Sequence, residues 1–269
     1  MHIALGQLAS GADVGANLQA IDRFAAQAAS RGARLIAFPE YATYEKKMVD
    51  ATFPTVAQPL DGQIGCELAK IAKRHEIALV SGFVESSPDP ARAFNTLVAF
   101  GPDGALLAAY RKVHLFDAQG FEESRYVAPA PTTDPVTFCV DGVRFGLLTC
   151  YDLRFPEQAQ SLSDAGSQVL LVCSSWVPGE SKMAQWRTLL AARAIENSLY
   201  VAGSCQAPPV SVGHSLLADP MGGVVAELGV EVGLVTAEVC VDTVADVRKH
   251  FPTSVQRRIE WGRRTSPPT

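Results

Sequence analysis

Three short stretches place reactive side chains directly after strand-like runs. Leu147-Leu148-Thr149-Cys150 is an apolar run that ends on a thiol, and a helix signal begins within a few residues at Pro156. That strand-to-helix turn lifts a side chain out of a sheet, as in hydrolase elbows, and aims backbone N–H groups at a developing oxyanion. The second stretch, Phe38-Pro39-Glu40-Tyr41, runs from a buried strand into a carboxylate. The third, Tyr110 to Asp117, carries Arg111 and Lys112 side by side. Alternation along a strand turns these two cations to opposite faces, so at least one points inward. Each stretch also has a plain reading: a buried cysteine, a surface ion pair, and an edge strand with solvated charges.

Together the three suggest one mechanism. A free thiol titrates near ~8.5 and needs help to attack at neutral pH. A nearby ammonium favours the thiolate, and a carboxylate can take the proton. Lys112 would also stabilise the oxyanion of a tetrahedral intermediate. Glu40 would protonate the leaving amine and then activate water. The competing arrangement is a Cys–His pair, for which His114 and His214 are the credible neighbours. Neither belongs to a papain-like or caspase-like signature.

The elements that must position these groups alternate along the chain. Ile3–Leu8 and Leu35–Phe38 read as strands around a helix that Asp13 caps and Gly32 ends. A helix over 64–75 leads to a strand over 77–83. Asp103-Gly104 and Asp141-Gly142 mark hairpin turns between strand pairs 96–100/105–110 and 136–140/143–148. Helices near 156–165 and 182–196 then alternate with strands over 168–173 and 199–203. A last hairpin turns at Met221-Gly222-Gly223, and 234–239 is the final strand. This order predicts an α/β protein with layered sheets, as one domain over 1–260 with a polar tail over 261–269. A rough two-fold similarity between the halves is compatible with this order, and the periodicity leaves it open.

Composition excludes several classes. The chain has 269 residues, of which 48% are hydrophobic and 19% charged, ample material for a buried core. A net charge of −5 and the lack of a basic block argue against a nucleic-acid partner. Arg257, Arg258, Arg263 and Arg264 read as a solvated helix face. Apolar runs such as 169–173 are too short to span a bilayer, and the N-terminus shows no secretory leader, which predicts a cytoplasmic protein. The six cysteines are therefore expected to be free. No Cys-x-x-Cys pair suggests a zinc site. Cys139, Cys173, Cys205 and Cys240 end or interrupt apolar runs and read as buried small hydrophobes, whereas Cys66 lies on a helix. Only Cys150 has a reason to be reactive.

The three stretches, in this order, resemble the nitrilase superfamily of carbon–nitrogen hydrolases. Phe38-Pro39-Glu40 resembles the segment of the catalytic glutamate. Arg111-Lys112-Val113-His114-Leu115-Phe116-Asp117 resembles the lysine segment, and Cys150-Tyr151-Asp152-Leu153-Arg154-Phe155-Pro156-Glu157 the nucleophile segment. Glu123 resembles a second family glutamate that positions the lysine, with Glu122 adjacent. Ala191 to Asn197, Gly213-His214-Ser215 and Asp219 to Gly222 also fit the family.

The lysine and nucleophile runs look most like the branch of omega-amidases and deaminated glutathione amidases. The resemblance therefore implies hydrolysis of a small amide by water through a cysteine thioester, with nitriles or N-carbamoyl compounds as alternative substrates. A non-catalytic interaction module is the remote alternative. It further implies a four-layer α–β–β–α sandwich, a homodimer or higher homo-oligomer, and no metal or organic cofactor. Tyr44, Tyr151, Arg154 and Trp176 are candidate substrate-binding residues, with Arg187 a further candidate for a carboxylate clamp. Arg154 reads slightly better as a structural ion-pair residue within its motif, and Trp176 reads equally as a pocket wall or a core plug. The segments 117–123, 127–131 and 206–212 depart from the family pattern.

Overall fold

Asp13 accepts from the Ala16 N–H at 3.0 Å and so caps the first helix, whose buried face is Asn17, Ile21, Ala25 and Ala28. The computed structural model describes residues 1–259; the expected tail over 261–269, with Arg263 and Arg264, lies outside them. The elements run β1 (His2–Gln7), α1 (Val14–Ser30), β2 (Leu35–Ala37), α2 (Thr52–Val56), α3 (Gln63–Arg74), β3 (Ala78–Ser86), β4 (Ala93–Phe100), β5 (Leu106–Arg111), β6 (Val127–Ala128) and β7 (Thr137–Val140). They continue with β8 (Val143–Thr149), α4 (Pro156–Asp164), β9 (Val169–Ser174), α5 (Lys182–Asn197), β10 (Tyr200–Cys205), β11 (Leu216–Ala218), β12 (Val224–Glu227), β13 (Gly233–Glu238), α6 (Val241–His250) and α7 (Thr253–Gln256).

The strands form two sheets, ordered β13-β1-β2-β3-β4-β5, with β6 beside β4, and β12-β11-β10-β9-β8-β7. The same device is built twice. In each sheet three strands pair in parallel, β1-β2-β3 and β8-β9-β10, and helices make the crossovers. Two antiparallel strands extend each trio on one side, β4-β5 and β11-β12. One antiparallel strand closes it on the other, β13 against β1 and β7 against β8. The two-fold similarity that periodicity left open is thus present in the topology.

Alternating side chains divide each sheet between two cores. Leu5, Val80 and Leu97 of the first sheet meet Phe145, Leu147 and Leu171 of the second in a central layer. The other face of the first sheet, with Ala4, Ile36 and Leu79, packs on Ile21 and Ala25 of α1 and Leu68 and Ile71 of α3. The outer face of the second sheet, with Leu148, Leu170 and Val172, packs on Leu162 of α4 and Trp186 and Leu190 of α5. The architecture is an α–β–β–α sandwich. Coverage on both faces explains why β2, β9 and β10 are buried at every residue and read as continuous apolar runs. Among the described residues no helix is long and apolar enough to cross a membrane.

Two cysteines differ from expectation. Cys173 and Cys205 are buried, but Cys139 and Cys240 are exposed. Cys139 sits on edge strand β7, where Phe138 and Val140 take the core face and turn it outward. Cys240 lies past the end of β13 as the residue before α6. Helix α7 ends at Gln256, so Arg257 and Arg258 follow it rather than forming a helix face, and Arg257 pairs with Asp164 at 2.7 Å. Helices α2 and α6 and strand β6 had no clear sequence signal, being short or weakly periodic.

Candidate active site

Both sheets end their parallel strands toward one cleft. Glu40 lies three residues past β2, Cys150 directly past β8, Ser175 directly past β9, and Lys112 directly past β5. The turn at Glu40 needs a glycine beside it. A Cβ on Gly82 of β3 would stand 2.2 Å from the Tyr41 nitrogen and 2.5 Å from the Pro39 oxygen. Without one, the Gly82 N–H donates to the Pro39 carbonyl at 3.1 Å. Past the carboxylate, Tyr41 takes a left-handed backbone with φ 55°.

Cys150 is likewise left-handed, with φ 46°. That conformation costs a non-glycine residue on the order of 1–3 kcal/mol and persists only where the surroundings hold it. Asp152, fully buried, does the holding. Its carboxylate accepts from the Thr149 N–H at 3.2 Å and the Tyr110 hydroxyl at 2.6 Å, and from the His114 backbone N–H at 2.9 Å. Asp152 thus ties the turn at Cys150 to the segment that carries Lys112.

The charged groups meet in a closed network. Lys112 Nζ lies 2.8 Å from Glu40 Oε1 and 2.8 and 3.1 Å from the two Glu123 oxygens. Asn95 Nδ2, from β4, donates to Glu40 at 2.7 Å and to Glu123 at 3.1 Å. Glu123 also accepts from the Tyr41 hydroxyl at 2.9 Å and the Phe116 N–H at 2.7 Å. The second Glu40 oxygen accepts from the Ser175 N–H at 2.7 Å. Of the two adjacent glutamates, Glu123 is the buried one that meets Lys112, while the Glu122 side chain is 74% exposed.

Electrostatics follow from this geometry. Burial works against the Lys112 ammonium, but Glu123 and Glu40 outweigh it and hold Lys112 well above the usual lysine range. Burial also works against the Glu123 carboxylate, and Lys112 reverses it to leave Glu123 below its ordinary value. Cys150 goes the other way. Burial and the facing Glu40 charge push its thiol well up, and Lys112 only partly opposes them. The Cys150 thiol thus holds its proton more tightly than a free thiol does, beside Glu40.

The cleft opens to solvent, and the empty space between its walls, mouth included, is about 650 Å³. Glu40, Lys112, Glu123, Cys150, Tyr151, Arg154 and Trp176 all line it. Tyr44 does not. It packs edge-on against Phe53, 5.2 Å between centroids, and its hydroxyl meets Thr52 at 2.7 Å. Arg187 lies away from the cleft in an ion pair with Glu227. Among the described residues no histidine lines it: His114 is held by Asp152 at 2.8 Å and stacks on Phe155, and His214 faces Glu227. Among the same residues no His/Cys/Asp/Glu group is arranged to hold a metal ion.

Three residues at the site escaped sequence reasoning. Asn95 had a signal, because an amide inside an apolar strand demands buried partners. Glu45 lines the cleft fully buried, with burial first and the Glu40 charge next driving its carboxyl well above the ordinary value. Lys182 opens α5 and is 4% exposed.

A carbon-nitrogen hydrolase family model matches residues 2–249. The chain belongs to the carbon–nitrogen hydrolase family. It is 41% identical over 264 residues to Hydrolase Rv0480c of Mycobacterium tuberculosis, covering 92% of each chain. It is 33% identical over 271 residues to omega-amidase NIT2 of Homo sapiens, covering 96% of this chain and 95% of that one. Among solved structures, a variant of the amidase from Nesterenkonia sp. AN1, bearing acrylamide added at its active-site cysteine, superposes with a TM-score of 0.79. That match has 29% identity over 95% of this chain and 99% of the other. This carbon–nitrogen hydrolase is thus an amidase-type enzyme of the nitrilase superfamily.

Proposed function

We propose that this enzyme hydrolyses the terminal amide of a small carboxylic acid, such as the monoamide of a short dicarboxylic acid or a deaminated-glutathione-like acid. Cys150 is the nucleophile of a thioester intermediate. The observation that carries the reading is the convergence of Glu40 and Lys112, 2.8 Å apart and nearly fully buried, on the cleft that holds the Cys150 thiol. Its likeness to an omega-amidase supports the substrate class.

The steps follow from the donors and acceptors. Glu40 takes the thiol proton as sulfur bonds to the amide carbon. Lys112 has three N–H bonds: one meets Glu40 and one spans Glu123. The third is left to stabilise the oxyanion, a contribution worth roughly 10²–10³ in rate. Glu40 then returns its proton to the nitrogen as the carbon–nitrogen bond breaks, releasing ammonia and leaving the thioester. Water, deprotonated by Glu40, attacks the thioester, and the proton returns to sulfur as the acid departs. Glu123 does not touch the substrate. It holds Lys112 charged and in place, and Asn95 holds both glutamates.

The raised thiol explains why a base must face it. Proton transfer is coupled to attack, and no exposed thiolate is left open to side reactions. Replacing Cys150 by Ala is expected to lower ammonia release from glutaramate, the monoamide of glutaric acid, by roughly 10⁴-fold or more with the thermal transition unchanged. Undiminished release by that variant would defeat the mechanism. Release from nitriles or N-carbamoyl compounds in preference to amides would redirect the substrate class.

A further inference from the structure

We propose that Lys182 and Arg154, placed on the Trp176 ring, form the subsite that takes the substrate's carboxylate; this rests on the amidase reading and names the groups it leaves open. Lys182 Nζ stands 5.2 Å from the Trp176 ring centroid and 5.2 Å from that of Phe116. The Arg154 guanidinium carbon stands 4.9 Å from the Trp176 centroid. All four residues line the cleft that holds Cys150. The Trp176 indole N–H donates to the Lys182 carbonyl at 3.0 Å, which fixes the start of α5 against the ring.

What sets this pair apart is missing charge balance. A buried lysine is normally matched by an acid. Among the described residues no carboxylate pairs with Lys182 or with Arg154, whose side-chain hydrogen bond goes to the neutral Gln185 amide at 2.7 Å. Two cations therefore face one small space with aromatic rings but no anion. Burial and the Arg154 charge both lower the Lys182 pKa, as expected of an ammonium that lacks its counter-ion. A ligand carboxylate would supply that counter-ion, with charge-assisted hydrogen bonds to the guanidinium and the ammonium.

The Lys112 side of the cleft sets orientation. There two carboxylates, Glu40 and Glu123, face one ammonium, Lys112. An anionic group is disfavoured there and favoured beside Trp176. A substrate with an amide at one terminus and a carboxylate at the other is thus aligned with its amide toward Cys150. A neutral amide lacks this alignment.

The test reads binding without turnover. Alkylation of Cys150 by iodoacetamide is followed by mass spectrometry in the presence of the monocarboxylate valerate or the neutral 1-pentanol. Valerate is expected to protect Cys150 where the alcohol does not. Lys182→Met and Arg154→Met should each raise the valerate concentration for half-protection by about 10- to 100-fold, and Lys182→Arg should keep most of the protection. In parallel, the ratio of kcat/KM for glutaramate over butyramide should fall by a similar factor in Lys182→Met, mainly through KM. Equal protection by valerate and pentanol, or valerate protection surviving in a folded Lys182→Met, overturns the subsite. Protection without turnover of any amide would sink the amidase reading and leave the subsite standing.

Discussion

Two buried lysines line one cleft, Lys112 at 2% and Lys182 at 4% exposure, and they have opposite surroundings. Lys112 meets two carboxylates, and Asn95, Tyr41 and the Phe116 N–H satisfy much of the remaining acceptor capacity. Lys182 meets two aromatic rings and another cation. The first group is complete as folded, and its charges hold each other in position. The second is left incomplete in a way that a ligand carboxylate would complete. A buried charge thus serves architecture or recognition according to whether its counter-ion belongs to the chain.

The widest gap between the two lysines should appear in stability. Lys112→Met leaves Glu40 and Glu123 buried without a cation and is expected to cost about 3–5 kcal/mol in urea unfolding. The added change Glu123→Gln should recover part of that loss. Lys182→Met should cost nothing at neutral pH, because it removes a buried charge with no partner. Equal destabilisation by the two single variants would break the comparison.

A smaller effect sharpens the same contrast by pH. The folded Lys182 binds its proton less tightly than the unfolded chain does, so its penalty is present at neutral pH. The penalty fades as pH rises toward the ordinary lysine value of 10.5. The Tm advantage of Lys182→Met should therefore shrink between neutral pH and pH 10. A constant advantage across that range would mean that its charge is already balanced. The Lys112 contribution has the opposite sign: it is fully present up to 10.5 and is lost only above it.

The smallest effect concerns Glu45, which also lines the cleft. Its folded carboxyl keeps the proton above the ordinary value of 4.5, so the unfolded chain releases a proton first and stability falls as pH rises past that point. Glu45→Gln removes this dependence. Its Tm relative to the parent should rise from pH 4.5 to pH 7, as read by scanning calorimetry, and a flat difference would show that Glu45 ionises freely in the cleft.

Much of the fold was legible because its signals are local. Period-2 and period-3.6 patterns, Asp13 as a cap, and the Asp-Gly turns at 103–104 and 141–142 mark the elements that the structure contains. Cys139 misled because an apolar run on an edge strand still has one open face. Tyr44 misled because nearness in sequence to Glu40 says nothing of direction: it turns into the Phe53 cluster and away from the cleft. Asn95, Glu45 and Lys182 were hidden for a related reason. Glu45 and Lys182 are ordinary in their own segments, and Asn95 and Lys182 meet Glu40, Glu123 and Phe116 from segments far along the chain.

By itself the sequence determined the alternation of strands and helices, the family motifs, and the placement of Glu40, Lys112 and Cys150 just past strand ends. Those follow from local pattern and residue type. Only the tertiary structure decided that Glu123 rather than Glu122 meets Lys112, that the Cys150 thiol is raised rather than lowered, and that Lys182 and Arg154 share Trp176 without an acid. These depend on burial and on charges a few ångströms apart in space but separated along the chain. Such distances are set when distant strands pair and the two sheets pack, and no local pattern encodes them.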